Sequence, residues 1–90
     1  MYYLESIYSG QKSFYKKARV YCTTNNLLEL VSYSTIVATF NTATDILKIK
    51  GYYSKTTKRH ILEFAKQVLN NPGITNKDLD LYLNYREAEE

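Results

Sequence analysis

The sequence is poor in the residues that build covalent, metal-bound or phosphate-binding sites. Its 90 residues include one cysteine, one histidine, three glycines, one proline and no tryptophan. The single thiol, Cys22, excludes an intrachain disulfide. The single histidine, His60, has no partner at metal-ligand spacing. Because a glycine-rich phosphate loop and a suggestive carboxylate pair are also missing, we predict a protein that is not an enzyme and uses no cofactor or metal.

Long apolar runs are missing as well. No stretch approaches the ~18 consecutive apolar residues of a membrane span, and residues 1–6 lack the basic start and apolar core of a signal peptide. A lone cysteine fits a reducing compartment. A chain of this length holds one hydrophobic core. We therefore predict one soluble domain, without membrane contact, in the cytoplasm.

Residues 1–53 carry the alternating pattern of half-buried strands. The β-prone segments are 2–8, 14–24, 27–40 and 46–53. A straight strand over 27–40 would span about 46 Å, which exceeds the ~30 Å width of so small a domain. A bulge or corner is therefore expected at residues 32–34. Beyond it, one face carries Ile36, Ala38 and Phe40. Ala18, Val20 and Cys22 share a face, so Cys22 is predicted to point inward. We predict an antiparallel meander of four or five strands, with a hairpin turn at residues 25–26 and another turn at 41–45.

Residues 54–90 are predicted to be helical, which gives an α+β fold. The first helix, near 56–70, begins at the hydroxyls of residues 54–57 and ends before Pro72 and Gly73. Its apolar arc, which packs on the sheet, comprises Thr57, Ile61, Leu62, Phe64, Ala65, Val68 and Leu69. Its polar arc comprises Arg59, Glu63, Lys66, Gln67 and Asn70.

A second helix is predicted near 76–87. Thr75 followed by Asp78 resembles a capping box at its start. Its packing stripe comprises Leu79, Tyr82 and Leu83. Because Leu81 and Tyr85 lie on the other side, we expect this helix to contribute to a homodimer or a partner contact.

Charge is distributed unevenly along the chain. The net charge is +3, yet residues 10–60 carry nine Lys and Arg against Glu29 and Asp45, while residues 61–90 are net acidic. Lysine on strands also discourages edge-to-edge aggregation, so this pattern alone does not require a partner. The chain has ten tyrosines, of which Tyr15, Tyr21 and Tyr52 interleave with the basic residues, and tyrosine suits a half-exposed binding face.

Two local features are consistent with more than one interpretation. His60 lies at the edge of the first helix's apolar arc, where a structural role is favoured over ligand binding. The hydroxyls of Ser54, Thr56 and Thr57 either cap the helix or, with the neighbouring lysines, hold an anion at its N-terminus.

Three segments carry a family resemblance. They are K-S-F-Y-K-K-A at 12–18, S-Y-S-T-I-V-A at 32–38 and Y-S-K-T-T-K-R-H-I-L-E-F at 53–64. Together they resemble a family of small uncharacterised proteins encoded by phages, plasmids and genomic islands of Gram-positive bacteria. The resemblance covers residues 10–67 and leaves residues 72–90 outside. It implies a protein that acts in the cytoplasm of a host cell.

The candidate binding residues are basic or aromatic. They are Lys12, Tyr15, Lys16, Lys17, Arg19, Tyr21, Lys48, Lys50, Tyr52, Lys55, Lys58 and Arg59. As a sheet face, such residues bind single-stranded nucleic acid by stacking and phosphate contacts. Alternatively they dock on a protein, with tyrosines as anchors. The resemblance favours the second hypothesis: a phage-type protein that modulates a host protein or nucleoprotein complex, such as an inhibitor of a CRISPR nuclease.

Overall fold

Five sequential strands form one antiparallel sheet in the computed structural model, which describes residues 1–8, 14–24, 26–51 and 54–83. The strands are β1 (Tyr2–Tyr3), β2 (Ala18–Cys22), β3 (Leu27–Ser32), β4 (Thr35–Asn41) and β5 (Ile46–Ile49), in that order across the sheet. The helices α1 (Lys55–Val68) and α2 (Asn76–Leu79) follow, and a 3₁₀ turn at Asp80–Tyr82 continues α2. The predicted α+β meander is confirmed. None of the described helices is both long and apolar enough to cross a membrane.

The break predicted at residues 32–34 is a tight hairpin. β3 ends at Ser32 and β4 begins at Thr35, and Tyr33 takes the left-handed conformation (φ 59°) that such a turn requires. The turn at 41–45 forms as predicted: the Asn41 side-chain oxygen accepts hydrogen bonds from the backbone of Ala43 and Thr44. Asn25, half of the other predicted hairpin turn, lies outside the described residues.

A β-bulge in β4 changes which side chains face the core. Leu30 pairs with Ala38 but Val31 pairs with Ile36, so Val37 is an extra residue opposite β3. Val37 is buried, whereas Ile36 is 43% exposed. The prediction that Ile36 shares the buried face of Ala38 is therefore wrong, because the bulge reverses the alternation at that point.

One face of the sheet packs against α1 and forms the core. Val20, Leu30, Ala38 and Ile49 lie in one row across the strands and pack in the same core as Phe64. Cys22 lies on this face as predicted, in the row of Leu28 and Phe40, but it is exposed because it is the last residue of β2, and its Sγ is 3.0 Å from the Thr24 carbonyl oxygen.

The N-terminal segment covers part of α1 that was expected to face solvent. Only Tyr2–Tyr3 of the predicted strand 2–8 is strand. The Tyr8 backbone N–H donates to Glu63 Oε1 (2.9 Å), and Gln67 Nε2 donates to the Glu5 carbonyl oxygen (2.8 Å). Glu63 is consequently 1% exposed. The expectation that Glu63 faces solvent is wrong, because Glu63 and Gln67 of the polar arc contact Tyr8 and Glu5.

The C-terminal part is less helical than predicted. The Asp78 carboxylate accepts a hydrogen bond from the Thr75 backbone N–H, as in a capping box. However, α2 ends at Leu79, and Leu83 has extended backbone (ψ 128°) and makes a parallel bridge to Ile49. The predicted continuous helix over 76–87 is therefore wrong for residues 80–83, which form the 3₁₀ turn and an extended residue. Residues 84–90 lie outside the described residues. Leu79, Tyr82 and Leu83 pack on the core as predicted.

Candidate binding surface

The sheet face opposite α1, here called the outer face, is defined by the strand register. One row across it contains Tyr21, Glu29, Thr39 and Lys48. A second row contains Arg19, Val31 and Ile36, with Tyr3 opposite Arg19 on β1. A third row contains Leu27, Asn41 and Ile46.

This face is partly apolar, and no described helix covers it. Ile36 and Ile46 are 43% and 51% exposed, and Tyr3 is exposed as well. Leu27 and Val31, also on this face, are half-buried. Apolar side chains left in water on a sheet mark a surface that a partner can bury.

Cations lie over the tyrosine rings at the β1–β2 side of the outer face. Lys16 Nζ is 5.5 Å from the centre of the Tyr3 ring, and the Arg19 guanidinium is 6.0 Å from that of Tyr21. Arg19 also donates a hydrogen bond to the Tyr33 carbonyl oxygen. These contacts hold the basic groups close to aromatic surface.

A groove of about 470 Å³ runs along β4 on the outer face. Its floor is formed by Thr39 and Asn41 of β4. The walls are formed by Leu27 and Glu29 of β3 on one side, and by Ile46, Lys48 and Lys50 of the β5 segment on the other. The groove exists because short side chains on the middle strand lie between longer ones on its two neighbours.

The structure divides the candidate binding residues between two layers. The outer-face set is Lys16, Arg19, Tyr21, Lys48 and Lys50. Tyr15 and Lys17 are exposed in the segment before β2, where Tyr15 and Lys16 have left-handed backbone (φ 51° and 63°). The α1 set, Lys55, Lys58 and Arg59, is exposed on the helix layer. Lys12 and Tyr52 lie outside the described residues, as does Tyr85, whereas Leu81 is 79% exposed.

Sequence reasoning missed the apolar half of this surface. Leu27, Val31 and Ile46 are not among the predicted binding residues, and Ile36 is predicted to share the face of Ala38, because aliphatic β-prone residues indicate strands and carry no binding signal of their own. Ile46 alternates with the inward Leu47, which was the available signal for its outward direction. For Ile36 no such signal exists, because the bulge at Val37 depends on pairing with β3.

A buried polar cluster joins α1 to the β3–β4 hairpin on the other side of the sheet. His60 is 1% exposed, and its Nδ1 lies 2.8 Å from Ser32 Oγ, which lies 3.0 Å from Thr57 Oγ1. The Phe14 ring packs edge-on against the imidazole at 4.7 Å. Burial lowers the pKa of His60 below its usual value of 6.5. His60 Nε2 has no hydrogen-bond partner among the described residues.

The hydroxyl cluster at the start of α1 serves that helix. Ser54 is the N-cap, and its Oγ accepts a hydrogen bond from the Thr57 backbone N–H (3.3 Å). Thr57 is itself buried against Ser32. In this arrangement the hydroxyls cap the helix and tie it to the sheet.

Comparison with known proteins places the chain in a family. The model of a family of unknown function, DUF8033, matches residues 2–80. No curated protein and no solved structure matches this chain. The match extends past the expected limit near residue 67 and includes α2, so the expectation that residues 72–90 lie outside the family region is wrong for residues 72–80. Among the described residues, no group of His, Cys, Asp and Glu is suited to hold a metal ion. With most of its length matched, the chain belongs to the family of unknown function DUF8033.

Proposed function

We propose that this protein is a non-enzymatic binding protein that docks its outer face on a host protein or nucleoprotein complex and modulates it. The resemblance of its three motif segments to mobile-element proteins supports a phage-type product acting in the host cytoplasm. A defence complex such as a CRISPR nuclease is the first target class to test.

The outer face, over which no described helix lies, carries this proposal. The helices pack on the opposite side of the sheet, and yet the outer face keeps Ile36, Ile46 and Tyr3 in contact with water. Protein interfaces combine such an apolar centre with basic and tyrosine side chains. Here Arg19, with its neighbour Tyr21, supplies that combination.

The composition of the central strands favours a protein partner over single-stranded nucleic acid. Sheet-based single-strand binders stack bases on aromatic residues of their central strands. In this sheet β3 and β4 present Glu29, Val31 and Thr39 at those positions. A carboxylate there repels phosphate, while Val31 offers aliphatic contact that suits a protein side chain.

The test is capture of partners from host lysate, with and without nuclease treatment. We expect capture to persist after nuclease treatment and to be lost with Ile36→Asp, because a buried carboxylate in the docking surface costs desolvation energy. Ile7→Asp is the matched control, since Ile7 is an exposed isoleucine in the N-terminal segment that contacts α1.

Two outcomes oppose the proposal. Equal capture by wild type and Ile36→Asp would show that the outer face is only a solvated one. Tight binding of single-stranded DNA or RNA at low salt, together with loss of all capture after nuclease treatment, would instead establish the nucleic-acid hypothesis, with affinity falling steeply as salt rises.

A further inference from the structure

The groove along β4 has a different character at its two ends. At one end Leu27 and Ile46 flank Asn41, and the three lie in one row across the strands. In the next row on the same face, Glu29 and Lys48 flank Thr39. Residues two apart on a strand are about 7 Å from each other. The aliphatic end of the groove therefore lies about 7 Å from its charged row.

The charges of the groove are separated by sign between its two walls. Lys48 and Lys50 line the β5 side at alternate positions, and Glu29 lies across the floor on the β3 side. An extended peptide also repeats its same-face side chains about every 7 Å. Carboxylates at alternate positions of such a peptide therefore match the two lysines, while Glu29 repels them from the opposite wall.

From this match we infer that the groove binds an extended acidic segment of a partner protein. The segment places an aliphatic side chain between Leu27 and Ile46, and Asp or Glu at alternate positions against Lys48 and Lys50. This inference rests on the proposed function, because it names the part of the partner that the outer face recognises.

The experiment is selection of a phage-displayed library of random dodecapeptides on the full-length protein. We expect enrichment of peptides in which Leu, Ile or Val is followed two and four residues later by Asp or Glu. The selected peptide is then synthesised, and its affinity is measured by fluorescence anisotropy. Reversing both lysines, Lys48→Glu with Lys50→Glu, should weaken binding about tenfold or more, since two ion pairs become repulsions.

The matched control is Lys77→Glu, an exposed charge reversal on α2, which should leave the affinity unchanged. Thermal melts of both variants establish that they fold. Failure to enrich any peptide, enrichment without alternate acidic residues, or an unchanged affinity in the folded double variant would overturn the inference. If only this inference fails, Ile36→Asp still reduces partner capture. If the proposed function fails, Ile36→Asp has no effect on partner capture.

Discussion

His60 couples the stability of the fold to pH. The imidazole is buried, and its pKa is lowered by loss of contact with water. In the unfolded chain it takes up a proton as the pH falls through about 6.5, while in the folded state it stays neutral to a lower pH. The unfolded state then binds more protons, so the free energy of unfolding decreases below that pH and is unaffected by His60 above it.

The expected result is a decrease of at most about 1.4 kcal/mol per pH unit below pH ~6.5. Urea unfolding of wild type and His60→Gln between about pH 5.5 and 7.5 measures it. The variant is less stable throughout, because it loses the imidazole bond to Ser32, but its pH slope should be smaller. Parallel pH profiles would contradict the assignment.

Phe64 is the largest side chain sealed in the core, with no exposed area. Phe64→Ala removes a ring from the contact between α1 and the sheet, and we expect a loss of about 3–5 kcal/mol in the free energy of unfolding. Chemical denaturation measures it. Ile7→Ala, at an exposed position, should change stability by less than about 0.5 kcal/mol. A comparable effect of the two changes would show that Phe64 is not a central core residue.

At the scale of elements, Glu63 fixes the N-terminal segment to α1. Its two carboxylate oxygens accept hydrogen bonds from the Tyr8 backbone N–H and from Gln67 Nε2. We expect Glu63→Ala to cost about 1–3 kcal/mol, because a part-buried N–H loses its acceptor. Amide hydrogen exchange at Tyr8 should accelerate. Glu63→Gln keeps one oxygen acceptor, so its stability should lie between those of wild type and Glu63→Ala. Unchanged amide exchange at Tyr8 in Glu63→Ala would show that Glu63 does not hold the N-terminal segment.

The element that contains Leu81 is expected to make a contact beyond the domain. Leu81 projects from the 3₁₀ turn and is 79% exposed, while Leu79 and Tyr82 of the same segment pack on the core. We expect concentration-dependent dimerisation or partner binding that Leu81→Ser reduces without changing stability. Light scattering over a wide concentration range measures the dimerisation. A monomer at every concentration, with partner capture unaffected by the substitution, would exclude both.

The elements show what the sequence could and could not predict. Alternation along β2 and β3, and the helical spacing of Ile61 and Phe64, follow from each segment's own burial, so sheet, helix and core were predictable. The bulge at Val37 depends on which β3 residue it faces, and burial of Glu63 depends on a segment 55 residues earlier. Both are decided by tertiary pairing. For the same reason the outward direction of Ile36 was not predictable, whereas that of Ile46 could have been inferred from its alternation with Leu47.

For the whole molecule, the excess of positive charge in residues 10–60 should affect the kinetics of partner binding. Long-range attraction speeds encounter, whereas apolar and aromatic contacts determine how long the complex lasts. We expect the association rate constant to fall several-fold between about 50 and 500 mM salt, with a smaller change in the dissociation rate constant. Surface plasmon resonance with the captured partner measures both. A salt effect confined to dissociation would contradict electrostatic steering.

The order of the strands has a consequence for how the chain reaches this structure. Each strand pairs with its neighbour along the chain, so from β2 to β5 the sheet grows by closing short loops, which cost little chain entropy. Pairing between neighbours along the chain favours faster folding than pairing between distant segments. Attachment of Tyr8 to Glu63 closes a loop of 55 residues and requires α1 to be formed first. Residues 5–8 are thus expected to be the last to reach their final position.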